Sequence, residues 1–509
     1  MNLPAARIME NVHEAILRAN YAEAELILKR ALSQSPNPEF LRSLGGIYKL
    51  SGRNQEAEAL WSDVLKQEPH DVATAFALAR LYRDQARVKA ASDVLCTSLY
   101  GIQIDAQCAI EATKLLAECN RPGDAAALVS AALTVSPRDL RLHIRAAMLA
   151  MQLGEFHEAR QSYLRTFEDP RQACEWHAPH GLANTQRYMN ADHPDFLLFQ
   201  KLLARTDLTP RARASLLFAL GKACDDIGDY TQAVSRFRQA NALILSFRVW
   251  TRKQWRRTAN ALLAAPRIPA IHNSPPGIVP VLIVGMPRSG STLVAELLSN
   301  HPDVCNRGEM PWLGQLMQGA SLVPPPDAEQ LGRWASMYAA YLRRDDADAH
   351  WIIDKQPFNF RYIGAILAMF PDARIIECVR SPRDTALSLW MQSFADDIQQ
   401  YACDFDDIAT VMHDCARLMN HWRKLYPESI QQVSYEALVR DPSGTIGTLA
   451  TWLGLPTTTA LPMKGGLNGP RGIDTASLWQ ARQPVHQQSI GRWQNYSAFV
   501  HELERFAVT

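Results

Sequence analysis

Apolar positions in the first half of the chain recur at helical spacing, and the pattern itself repeats with a period near 34 residues. Ala24, Leu28, Ala31 and Pro36 form one set, and Gly45, Tyr48, Ala57, Trp61 and Pro69 form the next. Tyr82 and Ala91 follow, then Ala125, Ala132 and Pro137, then Ala159 and Tyr163. Leu217, Gly221, Ala233, Phe237 and Ala240 close the series. Repeat starts near residues 5, 38, 72, 106 and 140 differ by 33 or 34, and a last start near 214 is a few residues out of step. Residues 171–210, with Trp176, Pro179, His180, Pro194 and Pro210, read as an irregular repeat. Small residues at fixed positions let two helices of a hairpin approach closely. Large ones fill the gap to the next hairpin, and stacking buries faces that one hairpin leaves open.

The pattern changes near residue 280. Val281–Val284 is a short, mostly β-branched apolar run and predicts a buried strand. Further strands are expected at Trp351–Ile353, Arg374–Val379 and Ile430–Ser434, with helical patterns over 359–370, 383–395, 406–426 and 443–453. Strands alternating with helices predict a parallel sheet covered on both faces, with ligand sites beyond its C-terminal strand ends. Between the two patterns, Arg252, Lys253, Arg256 and Arg257 mark a solvated helix face, and Pro266, Pro269, Pro275, Pro276 and Pro280 mark a linker. The division is therefore a repeat array over 1–250, a linker over 251–279 and an α/β domain over 280–509.

The first strand runs into Gly285, Met286, Pro287, Arg288, Ser289, Gly290, Ser291 and Thr292, and a helix follows. Strand, glycine loop and helix together make a phosphate-binding layout, because backbone N–H groups and the helix N-terminus attract an anion. The spacing is that of a nucleotide-binding P-loop, but Ser291 stands at the lysine position, which argues against ATP or GTP hydrolysis.

The array resembles tetratricopeptide repeats, which implies an α-solenoid able to hold a peptide or protein partner. GMPRSGSTL, then a helix and HPDV, resembles the 5′-phosphosulfate loop of sulfotransferases. That family uses 3′-phosphoadenosine-5′-phosphosulfate (PAPS) as sulfuryl donor and releases 3′,5′-adenosine bisphosphate. The resemblance demands a 3′-phosphate site downstream, and RSPRDTALS from Arg380 to Ser388 resembles it. An arginine gives a planar charged donor set, and a hydroxyl adds a hydrogen bond. RGE at Arg307–Glu309 resembles the active-site segment of tyrosylprotein sulfotransferases, which implies Glu309 as the base that deprotonates an acceptor hydroxyl. His301 is a rival by residue type, but HPDV reads as a helix C-cap.

By the same resemblance, Lys355 in DKQPFNF and Ser477 stabilise the departing phosphate. Tyr435 stands beside the nucleotide, residues 477–486 touch it, and Arg492 contacts a phosphate. The donor site is thus Arg288, Ser289, Gly290, Ser291, Thr292, Arg380, Ser388, Tyr435 and Arg492. Two departures stand out. The tyrosylprotein enzymes follow the glutamate with arginines, where this chain has Pro311, Trp312, Leu313, Gly314 and Gln315, and a further cofactor arginine is Gln392.

Net charge is +1, so nothing global points to nucleic acid or an anionic membrane. Nine dispersed cysteines read as free thiols, with neither a zinc site nor a disulfide framework. The N-terminus lacks a signal-peptide pattern and no apolar run would span a bilayer, so a cytoplasmic location is expected. The expectation is an α-solenoid fused to a P-loop-like α/β domain that works without a metal. It moves a sulfuryl group from PAPS to a hydroxyl, with a peptide or protein tyrosine the first choice of acceptor. A carbohydrate, lipid or small-molecule hydroxyl is the alternative. Outside this class stand a P-loop kinase, with Asp354 available for Mg²⁺, and a non-catalytic scaffold.

Overall fold

A computed structural model describes residues 5–317, 326–345, 348–394, 397–456 and 485–507. Backbone contacts divide the chain into two compact units, one of Met1–Arg145 with Arg344–Asp346 and one of Ala146–Arg343 with Ala347–Thr509.

The first unit is a run of antiparallel helix pairs. First helices of the pairs begin at Ala5, Pro38, Val72 and Ala106, where the repeat starts were expected. The side chains of Asn37, Asp71 and Asp105 each cap the helix that follows, accepting from Glu39 N, from Ala73 and Thr74 N, and from Cys108 N. The small residue at the crossing is Gly45. A Cβ there would lie 2.3 Å from Trp61 Nε1, so the indole occupies the volume that any larger residue would need. Trp61 Nε1 then donates to Arg42 O at 3.0 Å.

The second unit continues with helices before its sheet. Residues 171–210 hold three short helices, Pro170–Glu175, Ala178–Ala183 and Pro194–Leu203. The longer pair Pro210–Asp226 and Tyr230–Phe247 repeats the close crossing, with Phe237 where a Cβ of Gly221 would be. The basic helix Arg252–Ala264 differs from the expected solvated face at one position. Arg252 pairs with Asp407, a buried carboxylate that also binds Arg248.

The sheet has five parallel strands in the order β2-β3-β1-β4-β5. They are β1 (Val279–Gly285), β2 (Val304–Asn306), β3 (Trp351–Asp354), β4 (Arg374–Val379) and β5 (Ile430–Ser434). All seven residues of β1 are buried, as a central strand covered on both faces requires. Val281, Ile283, Ile353 and Ile376 pack on Val294, Leu298 and Leu449 of the flanking helices. The sequence reading missed β2, which has only three residues. The helix expected over 359–370 is a 3₁₀ turn, Pro357–Tyr362, followed by the helix Ile363–Met369. Gly285, Asp354, Val379 and Ser434 end four strands at one edge of the sheet, so the loops that follow them converge.

Candidate active site

The loop after β1 turns sharply into the helix Ser291–Leu298. Gly285 has φ 136°, and a Cβ there would meet Cys378 O at 2.4 Å. Gly290 has φ 95° and packs under Tyr435, whose Cδ2 is 2.6 Å from the position of a Cβ. Arg288 holds φ 71° without being glycine, a strained conformation that clusters at binding sites. Ser289 and Ser291 are buried, and Ser289 Oγ has no hydrogen-bond partner among the described residues. A buried hydroxyl without a partner, at a helix start with no side-chain cap, fits an anion acceptor.

Arg380 follows β4 and reaches back to this loop. Its Nη1 donates to Arg288 O at 3.0 Å and its Nη2 to Ser489 O at 2.6 Å, while its buried Nε has no partner among the described residues. The guanidinium lies over the Tyr435 ring, 4.8 Å from the centroid. Ser381 caps the helix Pro382–Trp390, which carries Ser388, and Ser388 Oγ accepts from Arg288 Nε at 2.9 Å. Arg380, Asp384, Leu387, Ser388, Met391, Ser489 and Arg492 line one small pocket.

Burial depresses the proton affinity of Arg288, and the nearby Arg380 and Arg492 guanidiniums add to the effect. Burial likewise lowers that of Arg380. Cations gathered in a low-dielectric site need a counter-charge. Arg492 receives one from Asp225, which raises its pKa against the effect of burial.

Glu309 and Lys355 follow β2 and β3, on the other flank of β1 from Arg380 and Ser388. Lys355 Nζ is hydrogen-bonded to Glu309 Oε1. Arg307 is turned away, donating to Leu342 O at 2.8 Å and Arg343 O at 2.6 Å. Lys355 is only 3% exposed, so its charge is compensated by the carboxylate beside it. Its backbone N donates to Gly308 O at 2.9 Å, which locks the two segments in register. His301 is buried and bonded to Asp303 N and Pro456 O, as a structural cap would be.

Asp354, just before Lys355 and named above only for the kinase alternative, is wholly buried. Its Oδ2 accepts from Tyr338 Oη at 2.5 Å and Asn359 Nδ2 at 3.1 Å. Burial nonetheless pushes its pKa up to about 7. Beyond Glu309, Trp312 stacks on Tyr341 with ring centroids 4.0 Å apart and planes within 2°. Thr292 lies in the first turn of the loop helix, and Ser477 lies outside the described residues. Asp384 was read only as a helix residue; it accepts from Gly491 N and Trp493 N, on either side of Arg492. No sequence signal marked that long-range pairing.

Among the described residues no helix is long and apolar enough to cross a membrane. Residues 280–459 match the model of the Sulfotransferase family. An uncharacterized protein of Aquifex aeolicus is 25% identical over 92% of this chain and 70% of its own length. The protein-tyrosine sulfotransferase of Drosophila melanogaster is 22% identical over 42% of this chain, which spans under half of that protein, 46%. Among solved structures, the sulfotransferase domain of the Synechococcus PCC 7002 olefin synthase aligns with 48% of this chain and 99% of its own, at 20% identity and a TM-score of 0.33. The phosphate loop, Glu309, Lys355, Arg380, Ser388 and Tyr435 all fall within the residues that match the Sulfotransferase family model.

Proposed function

We propose that the protein transfers a sulfuryl group from PAPS to an acceptor hydroxyl, with a tyrosine of a peptide or protein as the preferred acceptor. The observation that carries this reading is the convergence of Arg288, Arg380 and Arg492 with Ser388 around one pocket beside a glycine loop. Two anion sites at the end of one sheet suit a nucleotide with phosphates at both ends of its ribose. Arg288, Ser289, Gly290, Ser291 and Thr292 hold the 5′-phosphosulfate, Arg380, Ser388 and Arg492 hold the 3′-phosphate, and Tyr435 flanks the nucleotide.

In the transfer step Glu309 takes the proton of the acceptor hydroxyl as its oxygen attacks sulfur. The new O–S bond forms while the bond from sulfur to the 5′-phosphate oxygen breaks. The leaving phosphate keeps that electron pair, and Lys355 balances the charge that develops there. Lys355 and Glu309 are paired at rest, so the lysine must turn toward the phosphate for both to act. Ser477 takes the second stabilising role. The Trp312–Tyr341 stack beside Glu309 gives the acceptor side an aromatic wall where the tyrosylprotein enzymes carry arginines. That composition favours an acceptor without strongly acidic flanks. The helical hairpins are the proposed holder of a peptide acceptor, and nine free thiols support a reducing, cytoplasmic setting.

Calorimetric titration with 3′,5′-adenosine bisphosphate, beside ATP with Mg²⁺, tests the donor site without knowledge of the acceptor. Micromolar binding of the bisphosphate, lost in Arg380→Ala and absent for ATP, is expected. Binding of ATP alone would overturn the reading in favour of a kinase. Transfer assays on tyrosine peptides, and on carbohydrate and lipid alcohols, then decide the acceptor.

A further inference from the structure

Arg492 stands on a single 3₁₀ turn, Arg492–Tyr496, entered through Gly491 at φ 70°. So short a turn does not by itself fix a long side chain. Two carboxylates from distant parts of the sequence do. Asp384, on the Ser388 helix, accepts from Gly491 N at 2.8 Å and from Trp493 N at 2.9 Å, which pins the backbone on both sides. Asp225, near the end of the helix Pro210–Asp226, binds Arg492 Nη2 through Oδ2 and Tyr496 Oη through Oδ1, the latter at 2.5 Å. Both oxygens of Asp225 are occupied, and its side chain is 9% exposed. Tyr496 is fixed in turn by Tyr230, whose ring centroid lies 5.0 Å away.

The same helical pair backs the other half of the pocket. Asn241 Nδ2 donates to Trp390 O at 2.9 Å, at the end of the Ser388 helix, and Phe237 meets the Trp390 ring edge-on at 5.8 Å. Asp225 and Asn241 both lie before residue 250, within the repeat-patterned part of the chain. Arg492 lines the pocket with Arg380 and Ser388 while Asp225 holds one of its terminal nitrogens. A guanidinium has five N–H donors, so this leaves others for a second anion.

We infer that Asp225 is a positioning residue of the donor site, aiming Arg492 at the nucleotide's 3′-phosphate, so that the last repeat hairpin forms a wall of that site. The inference rests on the proposed donor reading, and the test separates the two. Full-length wild type and variants are titrated with 3′,5′-adenosine bisphosphate and with 5′-AMP, which lacks the 3′-phosphate. Wild type must prefer the bisphosphate; if it does not, the donor reading itself falls. Given that preference, Asp225→Ala and Arg492→Ala should each weaken the bisphosphate about tenfold and leave 5′-AMP unchanged. The double variant should be no weaker than Arg492→Ala, because two residues acting through one contact are not additive.

Asp225→Asn keeps the shape and an acceptor for Tyr496, but turns an amide toward Arg492. It should show the same selective loss, and it stands in if the alanine variant does not fold. Retained or tightened bisphosphate binding in the Asp225 variants would overturn the inference. So would an equal loss for both ligands, which is what a merely structural role produces.

Discussion

Arg288 Nε donates to Ser388 Oγ at 2.9 Å, joining the glycine loop after β1 to the helix after β4. A residue of the proposed 5′-phosphosulfate loop thereby touches a residue of the proposed 3′-phosphate site. Ser388→Ala removes one neutral acceptor and should weaken 3′,5′-adenosine bisphosphate roughly 2- to 10-fold. Arg288→Ala removes a charged donor as well and should weaken it more. The two losses should fall short of additive in a double-mutant cycle. Fully additive losses in the titration would mean that the contact does not couple the sites.

Glu309→Gln keeps a hydrogen-bonding partner for Lys355 but cannot take a proton at neutral pH. We expect kcat to fall by about 10²- to 10⁴-fold while bisphosphate affinity stays within a few-fold. Lys355→Ala should also lower kcat, through the leaving group. Normal turnover of Glu309→Gln in a transfer assay would remove Glu309 as the base.

Gly290→Ala meets two obstacles. The residue sits at φ 95°, and the added methyl would lie 2.6 Å from Tyr435 Cδ2. Strain of this kind costs about 1–3 kcal/mol. Thermal melting should show a lowered midpoint, and bisphosphate binding should weaken as Tyr435 is displaced. A melting curve superimposable on wild type would contradict the packing described.

The pH dependence of stability should carry the mark of Asp354. Its folded pKa is near 7, against an ordinary 3.8, so the folded chain binds more protons than the unfolded chain between those values. The group's contribution is therefore fully present below about pH 4 and is lost as pH rises through 7. The loss is on the order of a few kcal/mol. Asp354→Asn, neutral at every pH, should flatten this decline and melt higher than wild type at pH 8. Parallel melting-temperature profiles for the two proteins would refute it.

Local patterns in the chain were legible where periodicity and loop chemistry coincide. The repeat starts at 38, 72 and 106 are helix starts, each preceded by a capping Asn or Asp. The strand–loop–helix at 281–298 and the strand-to-Arg380 turn fold as their residues suggest. Long-range pairings were not legible. Nothing in the RSPRD segment shows that Asp384 binds backbone at 491 and 493, and nothing near 225 shows that its carboxylate meets Arg492. The burial of Asp354 was not legible for a related reason. Its raised pKa comes from complete burial, a property of the packing around it rather than of its neighbours in sequence. β2 was lost to its brevity: three residues carry too little alternation to mark a strand.

The strand order β2-β3-β1-β4-β5 places the Lys355 strand on one flank of β1 and the Arg380 strand on the other. Glu309 follows the outermost strand of the first flank, and Tyr435 follows the outermost strand of the second. The proposed base and the proposed 3′-phosphate residues thus follow strands on opposite flanks of β1. On the proposed reading, the acceptor's base and 3′-phosphate recognition therefore belong to separate halves of the sheet.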